Sequence, residues 1–136
     1  MKIFDVHTHV FPDKIAAQAL AHLRKNSCGI PVFTDGTAAG LAAKAREAGY
    51  TAWLNCPVVI RPDQVHSVND RVAKQNSLPM LSMGGMHPAV TAPQDEITRI
   101  HELGLRGVKF HPEYQEFFLL EERLEPIWQR CEELSL

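Results

Sequence analysis

The stretch KIFDVHTHV, residues 2–10, decides how the rest of the chain is read. Lys2 to Val6 is short, apolar-rich and β-branched, and it stops abruptly in polar residues, as a buried parallel strand does where it reaches a functional face. His7 and His9 stand two residues apart at that end. The period of an extended strand sends both imidazoles to one side, with Val6 and Thr8 facing away. A divalent cation such as zinc takes imidazole nitrogen at about 2.0 to 2.1 Å, and two ligands on one strand make a rigid pair. A catalytic ion also keeps a position for water, whose pKa it lowers to about 7. Asp5 is a candidate to orient one of the rings, because a ligating histidine usually donates its other N–H to a carboxylate or carbonyl. The same two histidines could close a strand without any metal. Their position directly after an apolar first strand, preceded by Asp and followed by a helix, favours the ligand reading.

Outward from this stretch the chain alternates. Asp13 can cap a helix in which Ile15, Ala16, Ala19, Leu20 and Leu23 recur at helical spacing until Cys28-Gly29 stops the pattern. Ile30 to Phe33 reads as a short extended piece. Thr37 caps a second helix through Ala48, closed by Gly49 where a left-handed residue is wanted. Thr51 to Asn55 is the second strand, and Asp63 starts a helix whose face is Val65, Val68, Val72 and Ala73. Met80 to Gly85 is the third strand, its paired glycines pointing to close backbone approach. Pro93 opens a helix that Gly104 ends. Leu105 to Phe110 is the fourth strand. An aromatic loop, Tyr114 to Phe118, leads to a last helix built on Leu124, Ile127, Trp128, Cys131 and Leu134.

About four strand-then-helix units in succession predict an α/β fold with a parallel sheet and right-handed crossovers, as one partial (β/α) domain over residues 1–136. The polar residues that could carry chemistry all follow strand ends: His7, His9, Asn55, His87 and His111. The carboxyl edge of parallel strands is where barrels and open sheets build their sites. His87 and His111 each precede a proline, which forces extended geometry on them and a sharp exit from the sheet. Each either shapes its loop or lines the mouth of a pocket as a substrate contact. Tyr114, Phe117 and Phe118 form either a lid or an apolar cluster on the sheet. His22, His66 and His101 fall within helices and read as solvated.

Composition narrows the function classes. The chain has 136 residues, 45% hydrophobic and 22% charged, as ordinary soluble globular proteins do. A complete eightfold barrel takes about 250 residues. The net charge is −2, with Lys and Arg scattered rather than striped, so nucleic acid is not an expected partner. Cys28, Cys56 and Cys131 are odd in number and too widely spaced for a CxxC pair, which predicts reduced thiols in a cytoplasmic protein. Asp5, His7 and His9 interrupt the apolar stretch that a signal peptide would need. No run of about 18 apolar residues is present, so no membrane association is expected.

The chain resembles the amidohydrolase superfamily, in particular the branch of amidohydrolase-related TIM-barrel proteins that includes decarboxylases as well as hydrolases. The resemblance runs from IFDVHTHVFPDKIA (3–16), through PVFTDGT (31–37) and MGGMHP (83–88), to LRGVKFHPEYQEF (105–117) and LEPIWQRCEEL (124–134). DxHxH alone is shared with deoxyribonuclease-like barrels and histidinol-phosphatase-like phosphoesterases; its combination with GVKFHP is more specific to this branch. The resemblance implies about half of a TIM barrel and a metal-dependent hydrolase in which a metal-activated water attacks a small carbonyl, amide or ester-like substrate. It assigns His7 and His9 to a divalent metal, zinc by preference. The family draws its other ligands from histidines on strands 5 and 6 and from an Asp after strand 8 that also takes the water's proton. The chain ends before those positions, so weak activity or none is expected of it alone.

A related decarboxylase, or a non-catalytic half-barrel that needs a partner, are the alternatives. Lys109 lies on the strand where some subgroups carry a carboxylated, metal-bridging lysine. It is otherwise a contact for a substrate anion, with His111 and His87, or a structural residue with its stem packed inside. Open sheet edges in half a barrel predict a homo-oligomer or a partner half-barrel.

Overall fold

The computed structural model describes residues 2–26 and 31–136. Its described residues form a mixed α/β array with parallel strand pairing and six α-helices, a partial (β/α) arrangement in which no barrel closes. The chain divides into two compact units, Met1–Asn55 and Cys56–Leu136.

The first unit comprises β1 (Phe4–Thr8), α1 (Asp13–Asn26), α2 (Ala38–Glu47) and β2 (Ala52–Asn55), with β1 parallel to β2. β1 starts and ends two residues later than the sequence pattern suggests, so His7 lies within it. In α1 the carbonyl of Pro12 accepts the first helical bonds, from Ile15 N at 2.9 Å and Ala16 N at 3.0 Å. Pro12 therefore holds the capping place, and Asp13 sits in the first turn with its carboxylate at the positive end of the helix dipole. Ala16 is buried and Ile15 exposed, so the apolar stripe is narrower than the spacing implied. The expected stop at Cys28-Gly29 and the first residue of the Ile30 to Phe33 piece lie outside the described residues.

α2 behaves as its sequence reads. Thr37 Oγ1 accepts the N–H of Gly40 at 2.9 Å, and Asp35 Oδ1 in turn accepts from Thr37 N and Oγ1 at 2.9 and 2.8 Å. A Cβ at residue 40 would overlap the Asp35 carboxylate and push it off Thr37. Gly49 takes the left-handed conformation that helix ends favour, at φ +81. Trp53 is buried, and its indole N–H has no hydrogen-bond partner among the described residues, a cost of about 1 to 3 kcal/mol.

The second unit contains α3 (Val65–Lys74), β3 (Met80–Ser82), β4 (Gly84–Gly85), α4 (Pro93–Glu102), β5 (Val108–Lys109), α5 (Pro112–Gln115) and α6 (Glu125–Leu134). Short 3-10 turns, Pro62–Gln64 and Glu122–Leu124, precede α3 and α6. Its core gathers Val59, Val65, Val72, Met86, Ile97, Ile100, Leu105, Phe117, Leu124 and Ile127. Val68 and Ala73, the rest of the expected α3 face, pack against it half-buried. Cys131 packs there too, and burial pushes its thiol up.

Two strands come out shorter than read. The fourth loses its start to the preceding helix: Leu105 N donates to Ile100 O and Gly104 N to His101 O, the paired bonds of a Schellman helix end. The third breaks at Met83 into β3 and β4, and β4 pairs in parallel with β5, Gly84 beside Val108 and Gly85 beside Lys109. The glycine pair allows the close approach inferred for it. A Cβ on Gly84 would meet Ile100 at 2.6 Å, and one on Gly85 would meet Val59 at 2.6 Å. No helix among the described residues is long and apolar enough to cross a membrane.

β4 is held from α3 by a buried side chain. Asn69 Oδ1 accepts Gly85 N at 2.7 Å, while its Nδ2 donates to Gly85 O at 3.0 Å and to Glu96 Oε1 at 2.7 Å. Glu96 is itself buried, and Arg99 Nε reaches its Oε2 at 3.2 Å. Truncating Asn69 strands both backbone groups of Gly85 and one oxygen of a buried carboxylate. The variant Asn69→Ala is expected to lose about 3 kcal/mol of stability, read from the urea midpoint at unchanged slope.

Candidate functional site

The first imidazole pair depends on an irregularity in β1. Phe4 and Asp5 align with Ala52 and Trp53, but the next aligned pair is Thr8 with Asn55, so β1 carries one residue more than β2 across Val6–His7. Such a bulge withdraws backbone groups from the ladder and re-aims the chain. Asp5 Oδ1 accepts the withdrawn N–H of His7 at 3.1 Å, an Asx-type turn that stabilises the bulge. Beyond it the strand is pinned again: Thr8 Oγ1 donates to Leu54 O at 2.8 Å, and Val10 N donates to Asn55 Oδ1 at 3.1 Å. Thr8, Val10 and Asn55 are all buried.

His7 and His9 are exposed, and their rings meet edge to face with centroids 4.9 Å apart. The expectation that both point to one side is met. The expectation that Val6 and Thr8 share the opposite side is not: Thr8 is 8% exposed and Val6 65%, because the bulge resets the alternation between them. Asp5, read as a partner for an imidazole N–H, is engaged here with the backbone of His7.

The ring spacing can be set against what a shared ion requires. An imidazole ligating through nitrogen at about 2.1 Å places its centroid about 3.2 Å from the ion, so two rings at a tetrahedral angle lie about 5 Å apart. The observed 4.9 Å fits two donors of such a set. Among the described residues, no group of three or more His, Cys, Asp or Glu is gathered to hold an ion.

The second unit contributes the other strand-end residues. Lys109 lies half-buried on β5, in register with Gly85. Met86 N donates to Lys109 O at 2.9 Å, and each strand runs on into a His-Pro pair, His87-Pro88 after Met86 and His111-Pro112 after Phe110. His87 is buried, and its Nδ1 accepts the N–H of Ala89 at 3.1 Å. His111 caps α5, its Nδ1 accepting from Tyr114 N at 3.5 Å, and its ring stacks on Tyr114 at 4.1 Å. Burial pushes the pKa of His87 down, and the charge of Arg123 lowers it further.

Gln115 holds this region together and was not singled out from the sequence. Its buried Nε2 donates to Val59 O at 2.6 Å and to Met86 O at 2.8 Å, and its Oε1 accepts His111 N at 2.9 Å. The aromatic segment divides in the structure. Phe117 enters the core beside Phe110, while Tyr114 and Phe118 are exposed. His66, read as merely solvated, is exposed but places Nε2 3.0 Å from the buried carboxylate of Glu96.

The chain thus carries imidazoles at the carboxyl ends of parallel strands in a βα repeat. The family described as amidohydrolase matches residues 4–136, nearly the whole chain, and the chain belongs to that family. No curated protein and no solved structure matches the chain.

The depressed pKa of His87 has a stability consequence. Below its ordinary value of 6.5 the unfolded chain binds a proton that the folded chain resists, so stability falls as pH drops through that window toward the lowered folded value. Denaturant unfolding between pH 7.5 and pH 5 is expected to show this loss, and His87→Gln to have a shallower slope over the same range.

Proposed function

We propose that this chain carries the metal-holding first strand of a metal-dependent hydrolase. The family match supports the class, and the convergence of the His7 and His9 rings at 4.9 Å is the observation that carries the reading to particular residues. His7 and His9 would hold a divalent ion, zinc by preference for nitrogen donors in tetrahedral sites. When bound, such an ion supplies a nucleophilic water near neutral pH and polarises the scissile carbonyl.

The chain's own residues do the positioning. Asp5 fixes the bulge that brings the rings together, and Thr8 and Asn55 anchor the strand beyond it. Lys109, His87 and His111 supply polar contacts to a small carbonyl, amide or ester-like substrate. Further donors and the proton-accepting base come from polypeptide other than the residues described, either a continuation of the chain or a partner. Phe4 and Val6 on β1, and Phe118 and Leu120 after α5, expose apolar surface that such polypeptide would cover.

Calorimetric titration with Zn2+ or Co2+ tests the pair. His7→Ala and His9→Ala are each expected to abolish measurable binding, and Asp5→Ala to weaken it about tenfold, the scale seen when residues supporting a ligand are removed. Equal affinity in the wild type and the double histidine variant would overturn the assignment. Light scattering at micromolar concentration is expected to show self-association of the chain alone.

A further inference from the structure

β4 and β5 run in parallel register through Gly85 and Lys109, and Met86 N still donates to Lys109 O. The next rung of a parallel ladder would join His111 N to Met86 O directly. The amide of Gln115 occupies that rung instead: its Oε1 accepts His111 N and its Nε2 donates to Met86 O. The rung after it cannot form, because Pro88 has no N–H. The two strands therefore splay just where His87 and His111 follow, at equivalent positions on neighbouring strands. Met86 lies in the core and Phe110 packs on Phe117 and Trp128, so alternation turns the next residue of each strand to the opposite face of the sheet.

Both rings are fixed in the same sense. Each Nδ1 accepts a backbone N–H from its own exit turn, Ala89 for His87 and Tyr114 for His111. A neutral imidazole has one acceptor nitrogen and one donor. With Nδ1 accepting, the proton sits on Nε2, which leaves Nε2–H as the donor of each ring. A histidine that ligates a metal through Nε2 needs that nitrogen bare and its proton on Nδ1, the reverse of what both turns impose.

We infer that His87 and His111 form a two-donor site for a carboxylate, each presenting Nε2–H to one oxygen, with Gln115 as the residue that spaces them. Two N–H donors carried at equivalent places on neighbouring strands suit the two oxygens of a planar anion. Arg123 adds positive charge near His87, although it is also paired with Glu121. Lys109, the last residue of β5, precedes His111 by two residues. This names the substrate feature for the contacts proposed above, and it uses neither His7 nor His9.

The test uses the full chain labelled with 15N-histidine, assigned through backbone-linked spectra at pH 7.5 and titrated separately with sodium acetate and with Zn2+. Both His87 and His111 are expected to show a protonated Nε2 and a bare Nδ1. Acetate is expected to shift both Nε2 resonances saturably. His111→Asn keeps a capping acceptor for Tyr114 but loses the far ring nitrogen, and is expected to bind acetate about tenfold more weakly. A proton on Nδ1 of either ring, no response of either ring to acetate, or Zn2+ shifting His87 or His111 ahead of His7 and His9 would overturn the inference. Failure of Zn2+ to shift His7 and His9, with acetate still bound, would instead strike the metal reading and leave this one supported.

Discussion

A buried peptide group must find a hydrogen-bond partner, and around β4 the partners are side chains. The strand is only two residues long, and both are glycines. On one side of it the amide of Asn69 pairs with both backbone groups of Gly85, as a neighbouring strand would. On the other, beyond the pairing with β5, the amide of Gln115 links Met86 to His111. Each replaces peptide contacts with a group of the same donor and acceptor geometry, in surroundings where an unsatisfied group costs about 1 to 3 kcal/mol. The core of Val65, Val72, Ile97 and Ile100 packs around this short strand, whose ladder the two amides complete.

The first unit meets the same constraint differently. Where β1 gains a residue against β2, the freed N–H of His7 is taken by Asp5, and regular pairing resumes through Thr8 and Asn55. Irregular backbone in β1 is thus confined to Val6 and His7. The buried anchors beyond it fix the rings on a rigid element rather than on a loop, which is how functional groups are held to useful tolerance.

Local signals in the sequence proved strongest where one residue type has one mechanical use. Thr37 and Gly49 marked α2, Pro93 and Gly104 bracketed α4, and the glycine pair at 84–85 announced close packing. Strand extents were less legible, because Leu105 reads as strand by its apolarity but is claimed by the helix end before it. The buried polar residues were the least legible. Asn69 interrupts a valine face, Glu96 precedes Ile97, and Gln115 sits in a short helix after His111; each looks like a solvated helical position until its partner is known. Asn69 lies four residues after Val65 and three before Val72, so its membership of the buried face was present in the periodicity and could have been found there. The pairing of His7 with His9 followed from spacing alone, while the bulge beneath them, which needs the alignment of β1 with β2, did not.

That bulge gives β1 two phases. Phe4 and Asp5 answer to one alternation against β2, and Thr8 to Val10 answer to another, offset by a single residue. The side chains upstream therefore set their facing independently of Thr8 and Val10, which Leu54 and Asn55 hold. The strand works as a joint as well as a rung, with one imidazole in the joint and the other just past it.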